Sequence, residues 1–366
     1  MSVALVHDYL TQRGGAERVV LSMLRAFPGA PLHTSLYDPA GTFPEFAEAD
    51  VRTAPLDRVP LLRRDHRRAL PLLAATFSRL HVDAEVTLCS SSGWAHGAAV
   101  EGRKVVYCHT PARWLYQSRR YLGEHGSPAA RAALAAARPW LVRWDRRAAA
   151  SADVYLANST AVRERIRAAY GRDAEVVPQP HAVDPAGTAT AVPGLDAGFV
   201  LCVARLLPYK NVDAVVEAFA GLPGERLVVA GAGPDEARLR AAAPANVSVL
   251  GAVADDRLRW LYASCRGLVA ASYEDYGLTP LEAAAFGKPA AVLRFGGFLD
   301  TVAEGATGAF FDRPEPRAIR AAVARLLAEG WDERRIRAHA ELYSEQRFVE
   351  RLRAAVTGDA GGRVAA

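Results

Sequence analysis

The chain is poor in cysteine, with four among its 366 residues. No two of them form a C-x-x-C pair, and each stands alone in an apolar or strand-like segment. The sequence therefore predicts neither a zinc site nor a disulfide framework. Such cysteines suit a reducing compartment, and we expect a cytoplasmic protein without a metal site. The four are Cys89, Cys108, Cys202 and Cys265.

Long apolar runs are missing as well. No stretch approaches the roughly 18 residues that a membrane-spanning helix needs. The first six residues, Met1 to Val6, carry no basic side chain and lead straight into a predicted strand, so we expect no signal peptide. With 51% hydrophobic and 23% charged residues, the composition is typical of a globular protein. The length favours two domains.

Several common catalytic motifs are absent. The sequence has no P-loop, G-x-S-x-G, H-E-x-x-H or protein-kinase motif, which excludes the commonest NTPases, hydrolases and metalloproteases. Gly231 and Gly233 match only the first two glycines of the dinucleotide motif G-x-G-x-x-G, because position 236 is Glu. The next predicted strand ends at Gly251 rather than at an acidic residue. We therefore expect a tight turn that faces a nucleotide, but not a nicotinamide site.

The positive charge is concentrated in the first half of the chain. The net charge is +5, and residues 1–181 carry 24 Lys and Arg against 17 Asp and Glu, whereas the remainder carries 21 against 23. Two arginine pairs, 63–64 and 67–68, precede the apolar stretch 69–73. This pattern is typical of a solvated helix face, and it also suits peripheral contact with the anionic inner surface of a membrane. No nucleic-acid-binding motif accompanies the modest charge, so we expect no nucleic-acid partner.

Strand and helix patterns alternate along the chain, which predicts an α/β fold with parallel sheets covered on both faces. The segment 181–197 is rich in Pro, Gly and Thr without periodicity, as in a linker. We expect two doubly wound Rossmann-like domains, 1–180 and 198–340, that face each other across a ligand-binding cleft. A C-terminal helix, about 340–358, is expected to pack back onto the first domain. The predicted strands are 3–6, 85–88, 105–108, 154–157, 175–177, 199–203, 227–230, 247–250, 268–271, 290–293 and 309–311.

Two glutamates eight positions apart, Glu274 and Glu282, follow a predicted strand of the second domain. The pattern places the first carboxylate in the loop after the strand and the second in the first turn of the next helix. Open α/β sheets bind their ligands at this edge. With the backbone N–H groups of Gly277, Leu278 and Thr279, the carboxylates suit a ligand with many hydroxyls and a phosphate, such as a nucleotide sugar. Two alternatives stay open: a solvated loop carboxylate for the first glutamate, and for the second a capping box, Thr279-Pro280-Leu281-Glu282.

Two cations, Arg205 and Lys210, lie in the loop after the first strand of the second domain. A guanidinium and an ammonium at that edge could clamp a diphosphate, although two exposed cations fit the same pattern. The glycine pair at 296–297 follows another strand. It would let the backbone approach a sugar, or it is simply a turn.

The first half offers weaker candidates. Gly14 and Gly15 open a predicted helix, whose bare N–H groups and positive dipole end suit an anion, although a tight turn needs glycine too. His109 follows a predicted strand and would lie at the mouth of the cleft, but a histidine that caps a turn fits equally well. The strand-end pair His7 and Asp8 suits either a general base or a structural contact.

Together these pieces resemble the retaining GT-B glycosyltransferases of family 4. The resemblance covers nearly the whole chain, and its most specific part is the E-x7-E motif formed by Glu274 and Glu282. Segments 92–97 and 107–113 look like those of bacterial mannosyltransferases that build polysaccharides. The supporting motifs are Gly14-Gly15-Ala16-Glu17, Arg205 with Lys210, Gly231-Ala232-Gly233-Pro234 and Gly296-Gly297.

The resemblance implies the roles of the site residues. Glu282 would hold the nucleotide ribose, Glu274 would contact hydroxyls of the donor sugar, and Arg205 and Lys210 would neutralise the departing diphosphate. Gly15 would contact the phosphate or the acceptor. The histidine at position 109 would line the donor-sugar site.

The implied activity is transfer of a hexose to a glycan or lipid-linked acceptor, with mannose from GDP-mannose as the first candidate. No cofactor is implied beyond the nucleotide sugar itself. A UDP-sugar-dependent transferase, a nucleotide-sugar epimerase and a non-catalytic nucleotide-sugar-binding protein of the same fold stay open. The sequence departs from the family pattern at three places. The segment 177–184 replaces the usual P-N-G-V-D or P-P-V-D, which bears on contacts at the cleft floor, and Asp300 stands where Glu is usual. Asp275-Tyr276 replaces the frequent Gly-Phe, which bears on the choice of donor.

Overall fold

The computed structural model describes residues 1–117, 128–181 and 183–358 of the chain. They form two compact units. Unit 1 comprises Met1–Pro180 together with the chain from Glu345 onward, and unit 2 comprises His181–Ser344. Residues 183–197, which the sequence suggests as part of a separate linker, therefore belong to unit 2.

Unit 1 is built on a parallel sheet that has seven strands within the described residues, in the order β3-β2-β1-β5-β7-β8-β9, with β4 paired to β6 apart from it. Alternate residues of each strand point to opposite faces. Leu5 and Leu88 enter the core on one face, and Val6 and Cys89 enter the core on the other. The strands are β1 (Val3–His7), β2 (Leu32–Thr34), β3 (Val51–Thr53), β4 (His81–Val82), β5 (Val86–Ser91), β6 (Ala99–Val100), β7 (Arg103–Cys108), β8 (Val154–Ala157) and β9 (Glu175–Val176).

Helices connect these strands and cover the sheet. The longest helix among the described residues is rich in alanine and arginine and ends at Ala150. The helices up to Pro180 are α1 (Gly15–Ala26), α2 (Pro60–Arg64), α3 (Leu70–Ser78), α4 (Arg113–Tyr116), α5 (Pro128–Ala150) and α6 (Thr160–Tyr170).

Unit 2 contains a second parallel sheet, with six strands among the described residues in the order β12-β11-β10-β13-β14-β15. This is the strand order of a Rossmann domain. The strands are β10 (Val200–Val203), β11 (Leu227–Ala230), β12 (Val247–Gly251), β13 (Gly267–Ala270), β14 (Ala290–Leu293) and β15 (Gly308–Phe311). The helices are α7 (Val212–Ala220), α8 (Glu236–Ala242), α9 (Asp255–Ser264), α10 (Leu278–Ala285), α11 (Phe298–Thr301), α12 (Pro316–Ala328) and α13 (Glu333–Glu341).

The last described helix, α14 (Glu345–Thr357), belongs to unit 1. Three of its apolar side chains enter the unit 1 core: Phe348, Leu352 and Val356. Arg353 Nε donates to the Ala26 carbonyl oxygen at 2.8 Å, which ties α14 to the end of α1. The sequence pattern suggests one closing helical stretch from about 333, whereas the structure has two helices that belong to different units.

Candidate functional site

The strand order of the second sheet reverses between β10 and β13. Strands β11 and β12 lie on one side of β10, and β14 and β15 lie beyond β13. Loops that leave the carboxyl ends of two such strands turn to opposite faces of the sheet, which opens the crevice where α/β proteins bind ligands. Arg205 and Lys210 follow β10, and Glu274 follows β13. The topology therefore brings these three predicted site residues to one crevice of unit 2.

Lys210 and Glu274 form an ion pair in this crevice. Their side chains are only 11% and 21% exposed, so the charges attract each other more strongly than they would on an open surface. Asn211 holds the cationic loop in place, because its side-chain amide donates to the Ala271 carbonyl oxygen at 2.8 Å. Its backbone has a left-handed φ of 52°, which asparagine tolerates better than most residues.

Arg205 is exposed, unlike Lys210. Its Nη2 lies 3.5 Å from the Tyr209 hydroxyl oxygen. The Lys210 Nζ lies 5.1 Å from the centroid of the same Tyr209 ring. Tyr209 thus keeps the two cations close together, and an exposed guanidinium can offer its planar fork of N–H donors to an anion.

Glu282 lies buried on α10, and its Oε2 accepts a hydrogen bond from the Tyr262 hydroxyl at 2.6 Å. Tyr262 comes from α9 and stacks on Phe286, with ring centroids 5.6 Å apart. Burial and the Glu282 charge raise the pKa of Tyr262 well above its ordinary value, so the hydroxyl keeps its proton and donates. The tyrosine therefore fixes the orientation of the carboxylate.

The capping-box interpretation of Glu282 is wrong. Helix α10 begins at Leu278 with Gly277 as its N-cap, which has a φ of 92°. Thr279 is therefore the second helical residue, and Pro280 occupies the third position, where a capping box needs the glutamate. Glu282 is the fifth residue, beyond the first turn in which the sequence places it.

Gly231 and Gly233 pack against the loop that carries Arg205. A Cβ on Gly231 would lie 1.9 Å from the Ala204 carbonyl oxygen, and one on Gly233 would lie 2.2 Å from the Leu206 carbonyl oxygen. These glycines therefore set the spacing between two loops of the crevice. Their direct contact with a nucleotide stays a prediction.

Gly296 and Gly297 support the Glu274 loop in the same way. A Cβ on either glycine would lie within 2.1 Å of a backbone oxygen, that of Glu274 for the first and that of Tyr276 for the second. The Gly297 N–H donates to the Glu274 carbonyl oxygen at 3.1 Å. The double glycine thus allows close approach of the protein's own loop.

Replacing Tyr262 by phenylalanine is expected to raise the Kd and KM for the nucleotide that Glu282 is predicted to hold by about tenfold, with little change in kcat. A hydrogen bond to a charged group is worth about 1.5–3 kcal/mol, and its loss removes a contact that orients the Glu282 carboxylate. Calorimetric titration with nucleotide measures the Kd. Tyr155 is a matched control, because it is also buried but lies in unit 1. Equal effects of Tyr155→Phe and Tyr262→Phe would contradict the assignment.

The first sheet has its own reversal, between β1 and β5. His7 ends β1, and His109 follows β7, the next strand beyond β5. Burial, with help from the His7 and Arg113 charges, lowers the pKa of His109 to about 3, so its ring is neutral at physiological pH. Its Nε2 lies 2.8 Å from the Ser90 hydroxyl oxygen.

Asp8 makes a structural contact, which is one of the two interpretations that the sequence allows for the His7-Asp8 pair. Its carboxylate accepts hydrogen bonds from the backbone N–H groups of Ser92 at 2.7 Å, Trp94 at 3.2 Å and Ala95 at 2.6 Å. These bonds shape the loop after β5. Both carboxylate oxygens of Asp8 are thus occupied by backbone groups of the protein itself.

Gly14 is the N-cap of α1, and Gly15 is its first residue, as the sequence predicts. The buried Glu17 carboxylate lies against this turn, since a Cβ on Gly14 would lie 2.5 Å from its Oε2. A carboxylate at N3 already uses the positive end of the helix. This helix end is therefore less suited to a phosphate than the glycine pattern suggests.

Several residues beside the predicted site residues carry no local sequence signal. Tyr262 occupies one buried position of a helix, and Ser90 is one of three consecutive serines. Which residues lie next to Tyr262 and Ser90 in space depends on the strand order of the sheets and on the packing of the helices. The residues missed in this way are Ser90, Gln179, Tyr209 and Tyr262.

Two family models match the chain. The model described as Glycosyltransferase Family 4 matches residues 13–186, and the model described as Glycosyl transferases group 1 matches residues 192–343. The chain belongs to the group 1 glycosyltransferases of family 4. Within the residues that the structure describes, this glycosyltransferase has no helix that is both long and apolar enough to cross a membrane.

Characterised relatives resemble parts of this glycosyltransferase. The D-inositol 3-phosphate glycosyltransferase of Mycobacterium avium is 38% identical over 125 residues, which are 31% of this chain and 30% of that protein. The glycogen synthase of Thermus thermophilus is 34% identical over 169 residues, which are 42% of this chain and 39% of that protein. The chain thus matches less than half the length of each relative.

Solved structures confirm the predicted GT-B fold of two Rossmann-like domains. HepE of Anabaena, in complex with UDP-glucose, is 15% identical with a TM-score of 0.69, covering 98% of this glycosyltransferase and 100% of HepE. The lipopolysaccharide outer core galactosyltransferase WaaB is 16% identical with a TM-score of 0.65, covering 98% and 99% of the two chains. At these identities the likeness concerns the fold alone.

Proposed function

We propose that the protein transfers a hexose from a nucleoside diphosphate donor to a glycan or lipid-linked acceptor, with retention of the anomeric configuration. The observation that carries the proposal is the Lys210–Glu274 pair beside Arg205 at the reversal point of the second sheet. A carboxylate accepts hydrogen bonds from sugar hydroxyls, and two cations match a diphosphate.

In this proposal the cations carry the main chemical task. As the bond between the anomeric carbon and the phosphate oxygen breaks, negative charge grows on the diphosphate, and Lys210 and Arg205 stabilise it. Glu274 holds the ammonium in place and accepts from hydroxyls of the donor sugar. The acceptor hydroxyl oxygen forms the new bond to the anomeric carbon, and the departing phosphate oxygen takes the proton of that hydroxyl on the same face of the sugar. The step therefore needs no protein nucleophile.

The nucleotide is held by the carboxylate on α10. Glu282, oriented by Tyr262, accepts hydrogen bonds from the ribose hydroxyls. The backbone N–H groups of Gly277, Leu278 and Thr279 open α10 and lie at its positive end, where a phosphate is favoured.

The donor has two candidates. Mannose from GDP-mannose is the first, and it is supported by the resemblance of segments 92–97 and 107–113 to mannosyltransferases. A UDP-linked hexose is the second, because HepE, a protein of the same fold, was solved with UDP-glucose. The Asp275-Tyr276 pair departs from the family pattern, and it favours neither donor over the other.

A donor screen tests the proposed function. The purified protein is mixed with GDP-mannose, UDP-glucose or UDP-N-acetylglucosamine, and its Tm and the release of free nucleotide are measured. We expect one donor to raise the Tm and to release nucleotide, at a rate that EDTA leaves unchanged. No response to any of the three would contradict the proposal. A new sugar formed without an acceptor would identify an epimerase, and tight binding without transfer would identify a non-catalytic subunit.

We also propose that unit 1 contacts the cytoplasmic face of an anionic membrane, where a lipid-linked acceptor would reside. Leu61 and Leu72 are 54% and 47% exposed, and the exposed Arg64, Arg67 and Arg68 lie between them in sequence. Exposed leucines beside arginines match lipid chains below anionic headgroups.

Vesicle sedimentation tests this contact. We expect the protein to sediment with vesicles that contain phosphatidylglycerol and to stay in solution with pure phosphatidylcholine. The double variant R64E/R67E should lose the binding. R313E/R317E, which reverses two exposed arginines of unit 2, should keep it. Equal binding by both double variants would show that the proposed surface is wrong.

A further inference from the structure

Buried polar side chains line the carboxyl edge of the first sheet at its reversal point. His7 pairs with Ser90 in the β1–β5 register, and Ser90 pairs with Tyr107 in the β5–β7 register. His109 comes two residues after Tyr107. Because residues two apart on a strand share a face, the side chains at positions 7, 90 and 109 lie on the same side of the sheet. All three are buried, with exposures of 2%, 1% and 8%.

The hydrogen bonds in this row all run in the same direction, from His7 through Ser90 to His109. His7 Nδ1 lies 3.2 Å from the Ser90 carbonyl oxygen and 3.0 Å from the Ser90 hydroxyl oxygen. A carbonyl oxygen can only accept, so this nitrogen carries a proton and donates. The hydroxyl proton of Ser90 is then directed to His109 Nε2, 2.8 Å away.

A buried carboxylate stands at the far end of the row. Glu17 Oε1 lies 3.9 Å from His7 Nε2 and accepts a hydrogen bond from the Gln12 side-chain amide at 3.0 Å. Burial alone would lower the pKa of His7, but its interaction with the Glu17 carboxylate raises that pKa above its ordinary value. A protonated His7 donates from Nδ1, which agrees with the direction found from the distances.

The near end of the row is Gln179, which hydrogen-bonds to His109. Since the ring is neutral and its Nε2 accepts from Ser90, its single N–H is on Nδ1. Gln179 belongs to the segment 177–184, where the sequence departs from the family pattern. The row therefore runs from Glu17 through His7, Ser90 and His109 to Gln179.

We propose that His7 and Ser90 are positioning residues for His109: they hold its ring in one orientation and in the tautomer that carries its proton on Nδ1. This inference rests on the proposed function and on the role that the family resemblance implies for His109, which is to line the donor-sugar site. With the tautomer fixed, the His109 Nδ1–H always acts as a hydrogen-bond donor, either to Gln179 or to a sugar hydroxyl oxygen. A ring that exchanged tautomers would present a donor to the sugar only part of the time.

The variant Ser90→Ala tests the proposal, with Ser91→Ala as its matched control. Ser91 is the next residue of β5 and equally buried, but its hydroxyl oxygen lies 2.9 Å from His96 Nδ1 instead. In the sugar-free protein, ¹⁵N NMR of the His109 ring should show one protonated and one unprotonated nitrogen. Ser90→Ala should move both signals toward a common value. Ser91→Ala should leave them in place.

The kinetic expectation follows from the same contact. Ser90→Ala should lower kcat by about tenfold, the effect of one hydrogen bond, with a smaller change in the donor KM. Ser90→Thr, which keeps the hydroxyl, should recover most of the loss. His7→Asn keeps a donor near the Nδ1 position and should resemble the wild type more closely than His7→Leu does.

Three outcomes would overturn the positioning role: an unchanged His109 spectrum in Ser90→Ala, the same spectral change in Ser91→Ala, or a wild-type kcat in Ser90→Ala. Absence of transfer by the wild-type protein would instead overturn the proposed function. The NMR comparison needs no sugar, so it would still decide whether Ser90 sets the tautomer.

Discussion

Replacing Lys210 by alanine is expected to lower kcat by about 100-fold or more, because removal of one preorganised electrostatic contact in a transition state costs about that much. The loss should fall mainly on kcat, since the charge that Lys210 is proposed to stabilise grows only as the sugar–phosphate bond breaks. Initial rates with the donor found by the screen measure kcat and KM. A kcat near the wild-type value would refute the assignment of this crevice.

The chain offers a matched control for this change. Lys288 is another of its three lysines, and it precedes β14, at the opposite edge of the sheet from the crevice. Lys288→Ala should leave kcat within about twofold of the wild type, because the half-buried Lys288 lies away from the crevice. The double variant K210A/E274A separates the two roles of the carboxylate. If Glu274 only holds the ammonium, the double variant should equal Lys210→Ala, whereas a further rise in the donor KM would show direct contact with the sugar.

Replacing Gly231 by alanine is expected to destabilise unit 2 by about 3 kcal/mol and to remove most of the activity. The new Cβ would lie 1.9 Å from the Ala204 carbonyl oxygen, and the φ of 134° at this position is unfavourable for any residue with a Cβ. Backbone strain and overpacking each cost about 1–3 kcal/mol. The loop that carries Arg205 would have to move, so both stability and rate should fall.

Urea unfolding followed by tryptophan fluorescence measures the loss, with Gly224→Ala and Gly330→Ala as controls. A Cβ at either control position meets no atom within 4 Å, and neither glycine has a left-handed φ. Both controls should stay within about 1 kcal/mol of the wild type, or gain slightly from the lower entropy of the unfolded chain. If Gly231→Ala behaved like them, close packing of the two loops would not be the reason for this glycine.

The fold was largely accessible from the sequence, because buried strands of parallel sheets are short apolar runs between helical segments. Strands such as β8, β11 and β14 lie where the pattern places them. Strands β2 and β3 escaped prediction, since three residues are too few to show a period. The helical pattern from about residue 333 onward gives no sign of the break at 342–344, because the helices on both sides of the break are amphipathic.

Some residues of the candidate site could be predicted from the sequence, and others could not. Glu274, Arg205 and Lys210 could be placed because each follows a strand, and the carboxyl ends of parallel strands share one edge. Tyr262 and Ser90 could not, because the identity of their partners depends on which helix or strand lies next to them in space. The helix start at Leu278 was also missed, since a glycine N-cap left no side-chain signal to compete with Thr279.

The membership of α14 in unit 1 has a consequence for biosynthesis. Phe348, Leu352 and Val356 are completely or almost completely buried in the core of that unit, yet the ribosome adds them only after the whole of unit 2. Domains generally fold as units while the chain is still growing. Here unit 1 must wait for the whole of residues 181–344 before its apolar surface under α14 can be covered, so the nascent chain carries an open core while unit 2 is being synthesised.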